Sequence, residues 1–208
     1  MVDQTLRQTA CDALCASDPA LARAYDTIGL PDWRIQSPDY HSLARTIVYQ
    51  LISIRAADVI WGRLQNWAGG EVKPEIILSA DEADIKACGL SGPKVRHLIS
   101  VAEAIRSGML PIDELHTLSD KDARKLLIAV MGIGPWIAEL FLMCSLQRMD
   151  AFPEGDVGLM ESLRVLRNDE RRLTAKAFLA HAENWRPYRG MAAHLLWGYL
   201  RHLRGENQ

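Results

Sequence analysis

The chain has 208 residues, 49% of them apolar and 24% charged, with a net charge of −2 and a pI near 6.3. That length carries one generous domain or two small lobes around a shared core, and the composition is that of an ordinary globular protein. A near-neutral charge excludes a protein that coats nucleic acid by bulk attraction, though not a local basic face. No apolar run approaches a membrane span. The opening residues MVDQTLRQTACDAL lack the basic-then-apolar layout of a secretory signal, so a cytoplasmic location is expected. Cys11, Cys15, Cys88 and Cys144 are scattered, which disfavours a disulfide framework or a zinc or iron–sulfur site and leaves them as small buried hydrophobes.

Helix follows helix along the chain. Residues 1 to about 35 are expected to form helices that pack on the C-terminal ones. From Asp39 to Asn66, Leu43, Ile47, Leu51, Ile54, Ala57 and Leu64 recur at close to helical spacing, which predicts one helix between Ser37-Pro38 and Gly69-Gly70. A short helix over Asp81 to Cys88 closes at Gly89, and Ser91 is placed to cap the next, which runs to Gly108. Ser119 with Asp122 resembles a capping box before Ala123 to Val130. Met131-Gly132-Ile133-Gly134 breaks that helix, and Pro135 suits the first turn of another reaching about Leu146. Beyond the irregular segment Asp150 to Gly155, helices open near Asp156, near Thr174 and after Pro187. No segment sustains a two-residue alternation, so the expected fold class is all-α.

The segment LLIAVMGIGPWIAELFLM, Leu126 to Met143, carries the most information. Two apolar helices meet at a hairpin where glycine permits positive φ and leaves no side chain over the backbone amides. The N-terminus of the second helix then suits an anion such as a DNA phosphate. A tight turn between antiparallel helices explains Gly132-Ile133-Gly134 equally well on its own.

Beyond the hairpin, Asp156 follows a loop containing Pro153 and Gly155. This arrangement resembles the helix-hairpin-helix DNA glycosylase superfamily. Tyr49-Gln50-Leu51-Ile52-Ser53 with Ala56-Ala57, Gly89-Leu90-Ser91 with Lys94, and Trp185-Arg186-Pro187-Tyr188-Arg189 with Ala192 and Trp197 are similar to further segments of the family. The resemblance spans roughly residues 35 to 203. It points to the 3-methyladenine glycosylase II branch in its compact form, because the stretch before Pro38 is too short for an added β-rich domain. Strand-nicking members carry a lysine just after the hairpin, where this chain has Trp136. Iron–sulfur members carry four cysteines near the C-terminus, and none follows Cys144 here.

The resemblance implies one glycosylase domain over 1–208, with a lobe of about 1–37 and 150–208 and a central lobe of about 38–149 holding the hairpin, the active cleft lying between them. It implies release of alkylated bases of the 3-methyladenine type from double-stranded DNA, leaving an abasic site in an intact strand, by a monomer without organic cofactor or catalytic metal. A structural Na+ or K+ on the carbonyls of Val130 and Ile133 is expected by the same likeness.

Asp156 is the candidate catalytic group, since a carboxylate stabilises the positive charge that builds on the sugar as the bond breaks, while an aspartate in that place also reads as an N-cap. Trp136 and Trp197 are candidate walls of the base pocket, because an indole face attracts a cationic base, with core packing as the alternative. Gly132, Ile133, Gly134, Gln50, Leu51 and Lys94 are the candidate DNA contacts, with Leu51 matching the family's intercalating wedge. Arg189 is expected to pair with Asp150 or a nearby acid, with a phosphate contact as the alternative. Ile137 replaces the usual hydroxyl residue, and Met160 stands where relatives often have a base. Two other readings stay open: a glycosylase for deaminated, oxidised or mismatched bases, and a helix-hairpin-helix module that only binds DNA.

Overall fold

The computed structural model describes residues 2–205. Twelve α-helices make up the described chain and no strand occurs in it, in line with the all-α expectation. In order they are α1 (Gln4–Ser17), α2 (Pro19–Ile28), α3 (Tyr40–Tyr49), α4 (Ile54–Trp67), α5 (Pro74–Ser79), α6 (Glu82–Ala87), α7 (Gly92–Arg106), α8 (Asp120–Ile128), α9 (Pro135–Leu140), α10 (Val157–Arg167), α11 (Ala175–Ala182) and α12 (Arg189–Leu203). Among the described residues no helix is long and apolar enough to cross a membrane.

The helices form two compact units. One is built from both ends of the chain, up to Ile35 and from Gln147 onward; the other is the continuous segment Gln36–Leu146. In the first, α2 lies against α12, α10 and α1, as expected for N-terminal helices that return to the C-terminal ones. Leu14, Leu21, Leu163, Phe178, Trp185 and Leu195 fill its core. In the second, α3 packs on α4 and α7, α5 on α7, and α8 on α9, around Leu43, Ile47, Leu64, Leu98, Leu127 and Ile137. Burial of each such side chain favours the fold by about 1.5–3 kcal/mol.

Local chemistry explains most of the helix starts. Asp3, Asp18, Asp39, Ser53, Ser119, Asp156 and Thr174 each accept a hydrogen bond from a backbone N–H in the first turn that follows. Ser119 caps α8 as read, its hydroxyl accepting from the Asp122 N–H at 3.2 Å, but the Asp122 carboxylate accepts from that hydroxyl at 2.6 Å rather than from the Ser119 backbone N–H, so only half of a capping box forms. Ser91 precedes α7 but makes no side-chain cap bond.

Three expectations need correction. The predicted helix from Asp39 to Asn66 is two helices, broken at Gln50–Ser53 because Ser53 caps α4 and Leu51 adopts φ 60°. The helix after Pro135 keeps α geometry only to Leu140 and continues to Ser145 as a π-helical turn. Among the cysteines Cys11, Cys88 and Cys144 are buried but Cys15 is only half-buried. Burial pushes the Cys11 thiol up to about 12, so it packs as a hydrophobe.

Candidate active site and nucleic-acid interface

In the continuous unit, α8 and α9 are the arms of the hairpin and residues 129–134 its turn. An ion pair between Arg124 on α8 and the buried Glu139 on α9 ties the arms together. The two glycines do different work. Gly132 turns the chain with φ 98°, and a Cβ there would stand 2.5 Å from the Cβ of His97 on α7. That space is filled by the protein, so Gly132 serves the turn rather than an open ligand path. Gly134 has an ordinary φ of −83° as the N-cap of α9, and a Cβ there would meet nothing within 4 Å. The open approach to the backbone therefore lies at Gly134.

The Ile133 side chain is buried and its N–H donates to the Val130 carbonyl at 3.1 Å. Ile137 is wholly buried, which explains why an apolar residue is tolerated at the helix start. Trp136, in the first turn of α9, is half-buried.

The same unit brings Gln50, Leu51 and Lys94 together at the turn between α3 and α4. Leu51 is 96% exposed in the left-handed region, φ 60°, with Ile52 and Ile54 also exposed beside it. An apolar side chain held outward on backbone that disfavours it is unusual, because both burial and torsion preference are forgone. Tyr49 fixes one side of the turn, its hydroxyl bonded to Asp58 and its ring under the Arg45 guanidinium. Lys94 donates from its amine to the Val48 carbonyl at 2.6 Å. Read from the sequence as a phosphate contact, it is placed by the structure on the end of α3, where burial lowers the pKa of its amine.

In the other unit, the Asp150 carboxylate accepts two hydrogen bonds from Arg189, at 3.0 Å each, its carbonyl accepts from the same guanidinium, and it pairs with Arg186, while Glu183 accepts a further bond from Arg189 at 2.8 Å. Arg189 is thus a structural clasp on the loop before Asp156, the role read for it. The loop closes at Gly155, φ 78°, and α12 begins so near that a Cβ on Gly190 would stand 2.9 Å from the Met149 carbonyl oxygen.

Asp156 then caps α10, its Oδ1 accepting from the Leu159 N–H at 3.0 Å. The Trp197 indole N–H points at the same Oδ1 from 3.5 Å. Gly158 leaves room for this, since a Cβ there would approach that oxygen to 3.1 Å. The carboxylate is half-buried, and Val157 beside it is exposed. Met160 borders an open groove of about 630 Å³ together with Val157, Arg164, Arg171 and Arg172.

Trp197 is only 9% exposed, and the Arg34 guanidinium lies over its ring, 4.7 Å from the centroid. His194, one turn earlier on α12, stacks on Trp33 at 4.3 Å. Its Nδ1 lies 2.7 Å from the Gly190 carbonyl and its Nε2 accepts from the Arg34 N–H at 3.0 Å. That pattern requires the neutral tautomer with the proton on Nδ1, and burial drives its pKa down to about 3. Trp33, Arg34 and His194 were not singled out from the sequence. The signal available was the spacing of His194 and Trp197, which puts both rings on one face of α12.

The family described as HhH-GPD superfamily base excision DNA repair protein matches residues 44–187. The chain is 34% identical over 161 residues to DNA-3-methyladenine glycosylase 1 of Schizosaccharomyces pombe, covering 76% of this chain and 71% of that one. It is 31% identical to DNA-3-methyladenine glycosylase of Bacillus subtilis, covering 83% of this chain and 59% of the relative. The solved structure of the S. pombe 3-methyladenine DNA glycosylase in complex with abasic DNA superposes with a TM-score of 0.83 at 30% identity, covering 91% of this chain and 95% of that one. The chain belongs to the HhH-GPD superfamily of base excision DNA repair proteins.

Proposed function

We propose that this protein is a monofunctional DNA glycosylase of the 3-methyladenine type, hydrolysing the N-glycosidic bond of alkylated bases in double-stranded DNA. The observation that carries the reading is the fixed carboxylate of Asp156, held at one oxygen by the Leu159 N–H and faced by the Trp197 N–H. As the C1′–N bond breaks, its electron pair leaves with the base and positive charge builds on the sugar. Asp156 stabilises that charge and orients the water that adds to C1′. A base that is already cationic leaves as a neutral molecule, so little general-acid help is needed. Trp136, where strand-nicking members carry lysine, offers no amine for a Schiff base, and Trp197, facing Asp156, is an aromatic wall for the flipped base.

On the DNA side, the backbone at Ile133 and Gly134 meets a phosphate, with Gly134 the open position and Gly132 making the turn that presents them. Leu51 enters the space left by the extruded nucleotide and Gln50 meets the opposite strand, while Lys94 supports their turn. A Na+ or K+ ion fits the carbonyls of Val130 and Ile133, since the Val130 oxygen uses one lone pair on the Ile133 N–H and keeps another. Such an ion would supply a positive charge beneath the phosphate. The protein acts inside the cell and as a monomer.

The test is to incubate purified protein with methylated duplex DNA, follow free base by chromatography, and probe strand breaks with and without alkali. Release of 3-methyladenine with breaks only after alkali is expected. DNA binding without any base release would overturn the reading in favour of a binding-only module.

A further inference from the structure

Arg34 is not placed by chance. Its backbone N–H is committed to the Nε2 of His194, whose own tautomer is fixed by the Gly190 carbonyl, and the preceding residue Trp33 is stacked on the same imidazole. Two consecutive residues therefore grip one turn of α12. That grip delivers the Arg34 guanidinium to the face of Trp197, the indole whose N–H points at Asp156. A formal positive charge thus stands beside the proposed reaction centre, on the surface proposed to receive the base.

We propose that Arg34 is a specificity-determining residue, whose charge on the Trp197 face sets how far the site favours a cationic base over a neutral one. The inference rests on the reading of Asp156 and Trp197 given above. Two effects act in the same direction. A cationic base gains from an indole face, and a guanidinium already on that face opposes the gain. A neutral base takes the electron pair of the breaking C1′–N bond and becomes anionic, and a neighbouring cation stabilises that charge as it forms. Arg34 therefore narrows the advantage of cationic lesions and supports release of neutral alkylated ones.

The experiment compares single-turnover release of 7-methylguanine, which is cationic, and 1,N6-ethenoadenine, which is neutral, from otherwise identical duplexes. Arg34→Gln is expected to raise the ratio of the cationic to the neutral rate roughly three- to tenfold, the span of a cation–π contact converted to rate. Arg34→Lys keeps the charge and should hold the ratio within about twofold of the unmodified protein. The contact that Arg34 makes with His194 is through its main chain, so both variants retain it. An unchanged ratio in Arg34→Gln, or an equal loss of both rates, would overturn the proposal. If the unmodified protein released neither base, the glycosylase reading itself would fall; release of both with a fixed ratio would remove only the role of Arg34.

Discussion

The Lys94 amine, in the first turn of α7, donates a 2.6 Å hydrogen bond to the Val48 carbonyl in the last turn of α3. A cation there satisfies an end-of-helix carbonyl and complements the helix dipole. Lys94→Met is expected to cost about 1–2 kcal/mol of stability, lowering the melting temperature by roughly 2–8 °C. The salt dependence of DNA affinity should keep its slope. A slope reduced by about 0.9 would mark Lys94 as a phosphate contact instead.

The hairpin glycines are expected to separate fold from function. Gly132→Ala places a methyl 2.5 Å from the His97 Cβ on a residue with φ 98°, and a clash of that kind costs about 2 kcal/mol or more. Gly134→Ala meets no neighbour and should melt within a few degrees of the unmodified protein, yet weaken DNA binding several-fold by covering the backbone. Calorimetry beside fluorescence anisotropy on one duplex reads both effects. Equal binding losses per unit of stability at the two positions would contradict this division.

Leu51 offers an inverted signature. Its side chain is 96% exposed and its φ is 60°, so Leu51→Gly should leave stability unchanged or raise it by about 0.5–1 kcal/mol. The same change should slow base release from duplex DNA by about tenfold, because nothing then fills the vacated stack. A variant that melts higher and still excises at full rate would show that Leu51 is not a wedge.

At Asp156, replacement by Asn keeps an N-cap and so the start of α10. Single-turnover excision should fall by about 10²- to 10³-fold, the usual loss when an electrostatic stabiliser is removed. Duplex affinity should change less than about threefold, since no charge that grips phosphate is lost. Retention of excision in this variant would transfer the chemistry elsewhere.

Acid stability should report on Asp18. Burial raises its pKa, but hydrogen bonds from His181, from Trp185 and from the Ala20 N–H outweigh that, leaving it at about 2 against an ordinary 3.8. A folded value below the unfolded one means the contribution, about 2 kcal/mol, is complete above pH 3.8 and is lost as pH falls through about 2. Urea midpoints measured between pH 5 and pH 2 should drop more steeply for the unmodified protein than for Asp18→Asn, and parallel curves would remove Asp18 from the account.

Much of this was legible in the chain because it is local. Helix starts at Ser119, Asp156 and Thr174 follow from short side chains that reach their own backbone, and the Gly132 turn follows from a torsion preference. The break at Gln50–Ser53 was hidden, because Leu51 continues the helical apolar spacing while its side chain points to solvent. Spacing reports what could be buried, not what is. The grip of Trp33 and Arg34 on His194 was hidden for another reason. It joins residues 160 positions apart in the chain, and nothing in either neighbourhood signals the other.

That separation also bears on how the chain is made. Residues Gln36–Leu146 are contiguous, so this unit can close on itself during synthesis, with the hairpin arms and the Lys94 bond all inside it. The other unit cannot close until α12 emerges: α2 meets α1 early, but it packs on α10 and α12 only as these are made, and the His194 that Trp33 and Arg34 grip lies on α12. Long-range closure of this kind is slow relative to local pairing. The helix that carries Trp197 to Asp156 is therefore the last to find its place, and a nascent chain passes through a stage in which Gln36–Leu146 is closed while the Asp156–Trp197 pair is not yet made.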